Sequence, residues 1–381
     1  MWYLDHAATT PLRPEARAAM TESLEDDFGN PSSLHAAGRR ARRAVEDARD
    51  RVAAAIGASP SEIVFTGGGT EADNLALKGA ADRLRGNGNH LVATTFEHHA
   101  VLDSLAWLER RGWETSLVPV GEDGIVDPDE VAAAVRPSTT VVSVMAVNNE
   151  LGTVQPVAGV AGAVKSRNRS TLVHTDGVQA LGNVPVEVHA WGVDLAAFAA
   201  HKMGGPKGVG ALFVRSHAPL EALVHGGGQE RGLRSGTLNV AGIVGFGVAA
   251  EMAAKEVHEK SERLLRLREK LMDGLCSAVP DVSVNGDLRE RVAGNLNVSI
   301  PSTEGETLLL LLDQVGIACS SGSACASGAL DPSHVLSAIG VPPDLAKGSL
   351  RFSLGWSSTD DDVDALLEVF PGVVERARRI A

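Results

Sequence analysis

The sequence predicts an α/β protein: a mainly parallel sheet covered on both faces, followed by a smaller α+β unit. Three observations carry this: short continuous apolar runs, helical patterns between them, and polar residues or glycine where each run stops. A chain of 381 residues with 44% hydrophobic content can bury a large core. At roughly 150 residues per domain it has room for two or three domains.

HAAGRRARRAVEDARDRVAAAIGAS reads as an amphipathic helix, because Ala44, Ala48, Val52 and Ile56 recur at helical spacing and Gly57 stops it. Its Arg39, Arg40, Arg42 and Arg43 read as a solvated face. EIVFT (62–66) reads as a buried strand, GGGTEADNLALKGAA as a glycine turn opening a helix, and HLVATTFEH (90–98) as a second strand before AVLDSLAWLERRG. TVVSVMAVNNE, STLVHTDG, VDLAAFAAHK and GVGALFVR repeat the strand pattern. A long helix is expected from Val248 to Leu275, with a change of domain near its start. NLNVSI, TLLLLLDQVGIACSSGSAC and SLRFSLG then form the smaller unit. We divide the chain into a large domain, 15–257, and a small domain, 1–14 with 258–381.

The net charge of −13 argues against a broad surface for nucleic acid or anionic lipid. No apolar run reaches the roughly 18 residues of a membrane span. MWYLDHAATT has neither a basic nor an apolar leader region, and three cysteines cannot all pair, so a reducing, cytoplasmic setting is expected. No metal-ligand spacing is present.

In sheets of this kind ligands bind beyond the carboxyl ends of the strands. That places Thr70, His98, Asn149, Asp176 and Lys202 where chemistry is expected. In GGGT, glycines let backbone N–H groups approach an anion at a helix N-terminus, although three glycines alone are only a turn. Asp176 and Lys202 close neighbouring strands. A desolvated lysine can form a Schiff base, and an aspartate can hold a pyridinium nitrogen protonated, which is the donor pair that pyridoxal 5'-phosphate requires. Alone, each reads as a surface lysine or a helix cap. With a phosphate-type turn and a strand-end histidine they favour the cofactor.

From YLDHAATTP through FGNPSS, GGGTEADNLALKG, EHHAVLD, VNNELGTVQP, HTDGVQA, AHKMGGPKGVGAL, HGGGQERGLRSGT and SSGSACASG to SLRFSLG, the sequence resembles the cysteine desulfurases of the IscS/NifS type, class V aminotransferases of the fold type I pyridoxal phosphate enzymes. The resemblance spans nearly the whole chain. It implies a seven-stranded sheet in the large domain. It also implies removal of sulfur from L-cysteine, giving L-alanine and a persulfide that is passed to an acceptor protein such as an iron-sulfur scaffold. tRNA thiolation and DNA phosphorothioation are further destinations that the resemblance leaves open.

Residue by residue, the resemblance gives Lys202 the covalent link to the cofactor, Asp176 the pyridine nitrogen and Gln179 the phenolic oxygen. His98 would stack on the ring and move protons. Gly69, Thr70 and His201 would hold the phosphate, joined by Thr237 from the neighbouring subunit of a homodimer. Asn149 and Arg351 would position substrate, the Arg351 fork suiting an α-carboxylate. Cys325 would be the nucleophile, on a segment of small residues that lets a thiolate reach substrate and then an acceptor. Cys319 reads as a small residue ending a strand, or as a relay, and Cys276 as core packing. Where many relatives carry a serine before the lysine, this chain has Ala199 and Ala200, which removes one phosphate donor. Selenocysteine lyase activity and a non-catalytic sulfur-transfer scaffold are the alternatives.

Overall fold

The computed structural model describes residues 1–321 and 333–380. A seven-stranded sheet lies at its centre, with β1 at Ile63–Thr66, β2 at His90–Thr94, β3 at Glu114–Val118, β4 at Thr139–Ser143, β5 at Leu172–Asp176, β6 at Leu195–Ala199 and β7 at Gly210–Val214. In space they run β1-β7-β6-β5-β4-β2-β3, and every pair is parallel except those made by β7.

The antiparallel β7 follows from chain length. Residues 200–209 are too few for a parallel crossover, which needs roughly a dozen or more. The chain therefore turns back at once, and Gly210 is required there: a Cβ would lie 2.5 Å from the carbonyl oxygen of Phe198.

Both faces of the sheet are buried, as its continuous apolar runs predict. Ile63, Phe65, Val92, Val142, Ala196, Phe198, Ala211 and Phe213 enter one core, while Val64, Leu91, Ala93, Val141, Leu195, Ala197 and Leu212 enter the other. The first core is closed by helices that include Ala36–Ala55, and the second by Gly69–Leu84 and His99–Glu109. Arg39, Arg40, Arg42 and Arg43 are exposed, and Arg40 pairs with Asp26 and Asp27.

The long helix spans Val240–Ala278, beginning earlier than its apolar pattern predicts because the Asn239 side chain caps it, accepting from the Gly242 N–H at 3.0 Å. Ala249, Ala250 and Ala253 belong to the sheet's core, whereas Leu264, Leu267, Leu271 and Leu275 belong to a separate core. That separate core packs against strands Asn295–Ser299 and Ser349–Ser353, the antiparallel centre of a four-stranded sheet. The N-terminus joins it: Trp2–Tyr3 pairs in parallel with Ile317–Ala318, and Leu4 is fully buried there. Among the described residues no helix is long and apolar enough to cross a membrane.

One buried ion pair fixes the segment that carries Thr237. Arg49, on the helix Ala36–Ala55, donates to both oxygens of Glu230 at 2.7 and 2.8 Å, and Glu230 also accepts from the Phe65 N–H at 2.7 Å. Glu230 and Arg231 sit at φ of +47° and +57°, a left-handed turn that non-glycine residues adopt only when their surroundings enforce it. Replacing Glu230 by Ala leaves a guanidinium only 6% exposed with the exposed Glu46 as its remaining carboxylate. Glu230→Ala is expected to lower stability by about 3–5 kcal/mol, measured by denaturant unfolding.

Candidate active site

The carboxyl ends of the strands open into a cavity of about 350 Å³. Its wall brings together Gly69, Thr70, His98, Asn149, Asp176, Gln179, His201, Lys202 and Arg351. Nine of the residues expected from sequence thus meet in one place. Thr237 is exposed and does not line the cavity, and Cys325 lies outside the described residues.

Each side chain is placed by a local device. Lys202 ends the short 3-10 turn Ala200–Lys202 after β6, and its Nζ donates to the carbonyl oxygens of Ala7 at 2.6 Å and Ala8 at 2.9 Å. Asp176 is the last residue of β5, where Oδ1 accepts from the Val178 N–H at 2.9 Å. Burial holds the Asp176 carboxyl above its ordinary range, opposed by the neighbouring His98, the Val178 N–H and Lys202. Gln179 is fixed by an Nε2 donation to the Ala7 carbonyl at 2.8 Å.

His98 caps the helix His99–Glu109, with Nδ1 accepting from the Ala100 N–H at 3.0 Å. That bond leaves the proton of the neutral ring on Nε2. Burial lowers the His98 pKa, and Asp176 partly offsets this. The Nδ1 of His201 lies 3.2 Å from Thr9 Oγ1, and its pKa falls to about 4 through burial and the neighbouring Lys202 and Lys207.

Arg351 lies on the strand Ser349–Ser353 of the second sheet and is 2% exposed. One Nη donates to the Asn149 carbonyl at 2.8 Å, and the other to Asp5 Oδ1 at 2.9 Å, while Nε has no hydrogen-bond partner among the described residues. A guanidinium held this way presents a fork to a carboxylate. Asp5, Ala7 and Ala8 were not singled out as site residues from sequence. Their signal is the opening YLDHAATTP, whose contribution is made mostly by backbone carbonyls that side-chain chemistry does not reveal. Asn148, not Asn149, makes the cap at this turn, accepting from the N–H groups of Glu150 and Leu151 at 2.9 Å each.

Burial pushes the Cys319 thiol up to about 12, with Asp5 adding to the shift, and the side chain packs against the second core. A thiol so protonated is no nucleophile at neutral pH. This agrees with the reading of Cys319 as a small residue at a strand end rather than a relay.

The site fits pyridoxal phosphate by its donor set: a primary amine, a buried carboxylate at a strand end, and a helix N-terminus with free N–H groups on one cavity wall. Gly69 keeps that N-terminus close to the cavity floor, since a Cβ there would meet Val178 Cγ2 at 2.5 Å. Ala199 lines the same wall with no hydroxyl to offer.

Comparison with known proteins agrees with this chemistry. The cysteine desulfurase IscS of Methanosarcina thermophila is 46% identical over 379 residues, covering 100% of this chain and 93% of that protein. A solved NifS-like protein superposes with a TM-score of 0.93 at 39% identity, covering 98% of this chain and 99% of that one. A structure described as SspA in complex with cysteine superposes with a TM-score of 0.83 at 34% identity, covering 93% and 99%. Residues 2–366 match the aminotransferase class-V family, and the chain belongs to that family of pyridoxal phosphate enzymes.

Proposed function

We propose that the protein is a cysteine desulfurase, which takes sulfur from L-cysteine, releases L-alanine and retains the sulfur as a persulfide on Cys325. The observation that carries this reading is the meeting of Lys202, Asp176, His98 and Arg351 in one cavity, in a chain 46% identical to an IscS cysteine desulfurase. When bound, pyridoxal phosphate supplies an electron sink for charge developing at the substrate α-carbon. Lys202 would hold the cofactor through Nζ and, once released by substrate, move the α-proton. Asp176 would keep the ring nitrogen protonated, and Gln179 would donate to the phenolic oxygen. His98 would lie against the ring and assist proton transfer through Nε2. Gly69, Thr70 and His201 would hold the phosphate, with Asn149 and Arg351 orienting substrate.

The thiolate of Cys325 would attack the substrate sulfur. The carbon–sulfur bond breaks, a sulfur–sulfur bond forms, and the carbon takes a proton to leave as alanine. The persulfide then passes to an acceptor protein, for which an iron-sulfur scaffold is the best-supported class. We place this activity in the cytoplasm, and assign cofactor binding to residues 15–257 and carriage of the sulfur to the unit formed by 1–14 and 258–381.

Cys325→Ser is expected to abolish release of sulfide in the presence of a reductant while keeping the yellow absorbance of the bound cofactor; sustained sulfide release by this variant would refute the role. Arg351→Lys loses the planar fork and keeps the charge. At about 1.5–3 kcal/mol for a hydrogen bond to a charged group, KM for L-cysteine should rise roughly 10- to 100-fold with a smaller change in kcat.

We also propose that the enzyme is a homodimer in which Thr237 reaches the phosphate of the neighbouring subunit. Thr237 is exposed and off the cavity of its own chain, which supports this arrangement. Where Lys202→Ala and Thr237→Ala proteins are each impaired, mixing their subunits should restore one working site per hybrid dimer, read as recovered sulfide release. Absence of recovery would assign Thr237 to its own chain.

A further inference from the structure

Three buried carboxyls, those of Asp73, Glu97 and Asp176, cluster at the cofactor cavity, and their surroundings differ. Asp176 accepts from a backbone N–H and lies in the fields of His98 and Lys202. Glu97 takes two donors on Oε1, Thr94 Oγ1 at 2.6 Å and the Met145 N–H at 2.8 Å, while burial pushes it up to about 8. Asp73 lines the cavity one helical turn beyond Gly69 and Thr70, is 1% exposed, and has no hydrogen-bond donor on Oδ1 among the described residues. The group facing that oxygen is Nε2 of His174, at 3.4 Å, which also has no hydrogen-bond partner among the described residues. On its other side, His174 Nδ1 lies 2.9 Å from Ser143 Oγ. Helix, β5 and β4 thus deliver one row: Asp73, His174, Ser143.

An ionised Asp73 here would have only a long contact from a neutral His174 N–H to stabilise it, and two other carboxyls nearby. Burial, then Asp176, then Glu97 all hold it well above the usual carboxylate range. Burial alone pushes His174 down to about 3, so its ring is neutral. A neutral imidazole has one donor and one acceptor, so the proton on Asp73 decides the tautomer.

We propose that Asp73, His174 and Ser143 form a neutral positioning relay: the protonated Asp73 carboxyl donates to His174 Nε2, and His174 Nδ1–H donates to Ser143 Oγ. The relay leaves Asp176 as the one ionised carboxyl facing the cofactor. Neither Asp73 nor His174 touches reacting atoms in this arrangement; both act by withholding a second negative charge. The inference rests on cofactor binding and is independent of which amino acid the site consumes.

Two readouts on the cofactor-loaded protein test it, and neither depends on sulfur release. The first is the imidazole nitrogen resonances of His174, assigned by their loss in His174→Gln. They should report a neutral ring protonated on Nδ1 throughout about pH 5 to 8; a proton on Nε2 would mean an ionised Asp73 and overturn the proposal. The second is the pH midpoint of the bound-cofactor absorbance. Asp73→Asn keeps an N–H donor toward Nε2 and removes the capacity for charge, so the midpoint should stay in place, while Asp176→Asn moves it. An ionised Asp73 would make Asp73→Asn shift the midpoint by about 1 to 3 units, the size of a nearby charge effect, and that shift would also overturn the relay. Should Asp73→Asn fail to fold, the His174 resonances of the unaltered protein still decide.

Discussion

The carbonyl oxygen of Ala7 accepts from Lys202 Nζ and from Gln179 Nε2, at 2.6 and 2.8 Å, and much of the site's geometry hangs on where that carbonyl sits. Its position is set from both cores. The Ala7 N–H donates to Ser353 Oγ at 2.8 Å and the His6 N–H to the Ser353 carbonyl at 3.1 Å, tying the segment to the second sheet. Three residues on, Thr10 bonds the His201 carbonyl through both its N–H and its hydroxyl, tying it to the turn that carries Lys202. Asp5 adds the third tie by accepting from Arg351. A short run of N-terminal chain therefore sets the distance between the amine that would hold the cofactor and the guanidinium that would hold the substrate. Small displacements of either core would be felt at both.

The second constraint is electrostatic. A cavity that must protonate one ring nitrogen works best with one carboxylate, yet the fold places Asp73 and Asp176 on its wall and buries Glu97 close by. Burial raises Asp73 and Glu97 with no nearby cation among the described residues to oppose it, while for Asp176 Lys202, His98 and the Val178 N–H offset part of that cost. Position along the strand decides this: Asp176 ends β5 where Lys202 and His98 converge, and His174, two residues earlier on the same face, meets Asp73 instead.

How much of this could be read from sequence depends on which atoms carry the function. Side chains at strand ends were legible, since a lysine, an aspartate and a histidine following apolar runs must lie at one edge of a parallel sheet, and those residues do line one cavity. The two-faced burial of the sheet was legible for the same reason, because its strands are continuously apolar. What was not legible rests on backbone or on long-range pairing. The carbonyls of Ala7 and Ala8 have no signature in residue type. Asp73 lies in a helix that the sequence shows, but nothing in its residue type marks it as buried, and only the fold reveals that it packs against His174. The antiparallel course of β7 was hidden because GVGALFVR has the same apolar character as its parallel neighbours; only the shortness of residues 200–209 distinguishes it.

The long helix Val240–Ala278 links these constraints. Its Ala-rich first half lets the helix approach closely, and at Gly247 it meets backbone: a Cβ there would lie 2.8 Å from Ala48 Cα. Its leucine-rich second half fills the other core. A rotation of the second core relative to the sheet would therefore have to bend this helix or break its close packing, both costly in a well-packed interior. Arg351 rides on the second core, and Lys202 and Asp176 on the first. With the helix rigid, substrate carboxylate and cofactor ring would be held by elements that cannot drift apart independently.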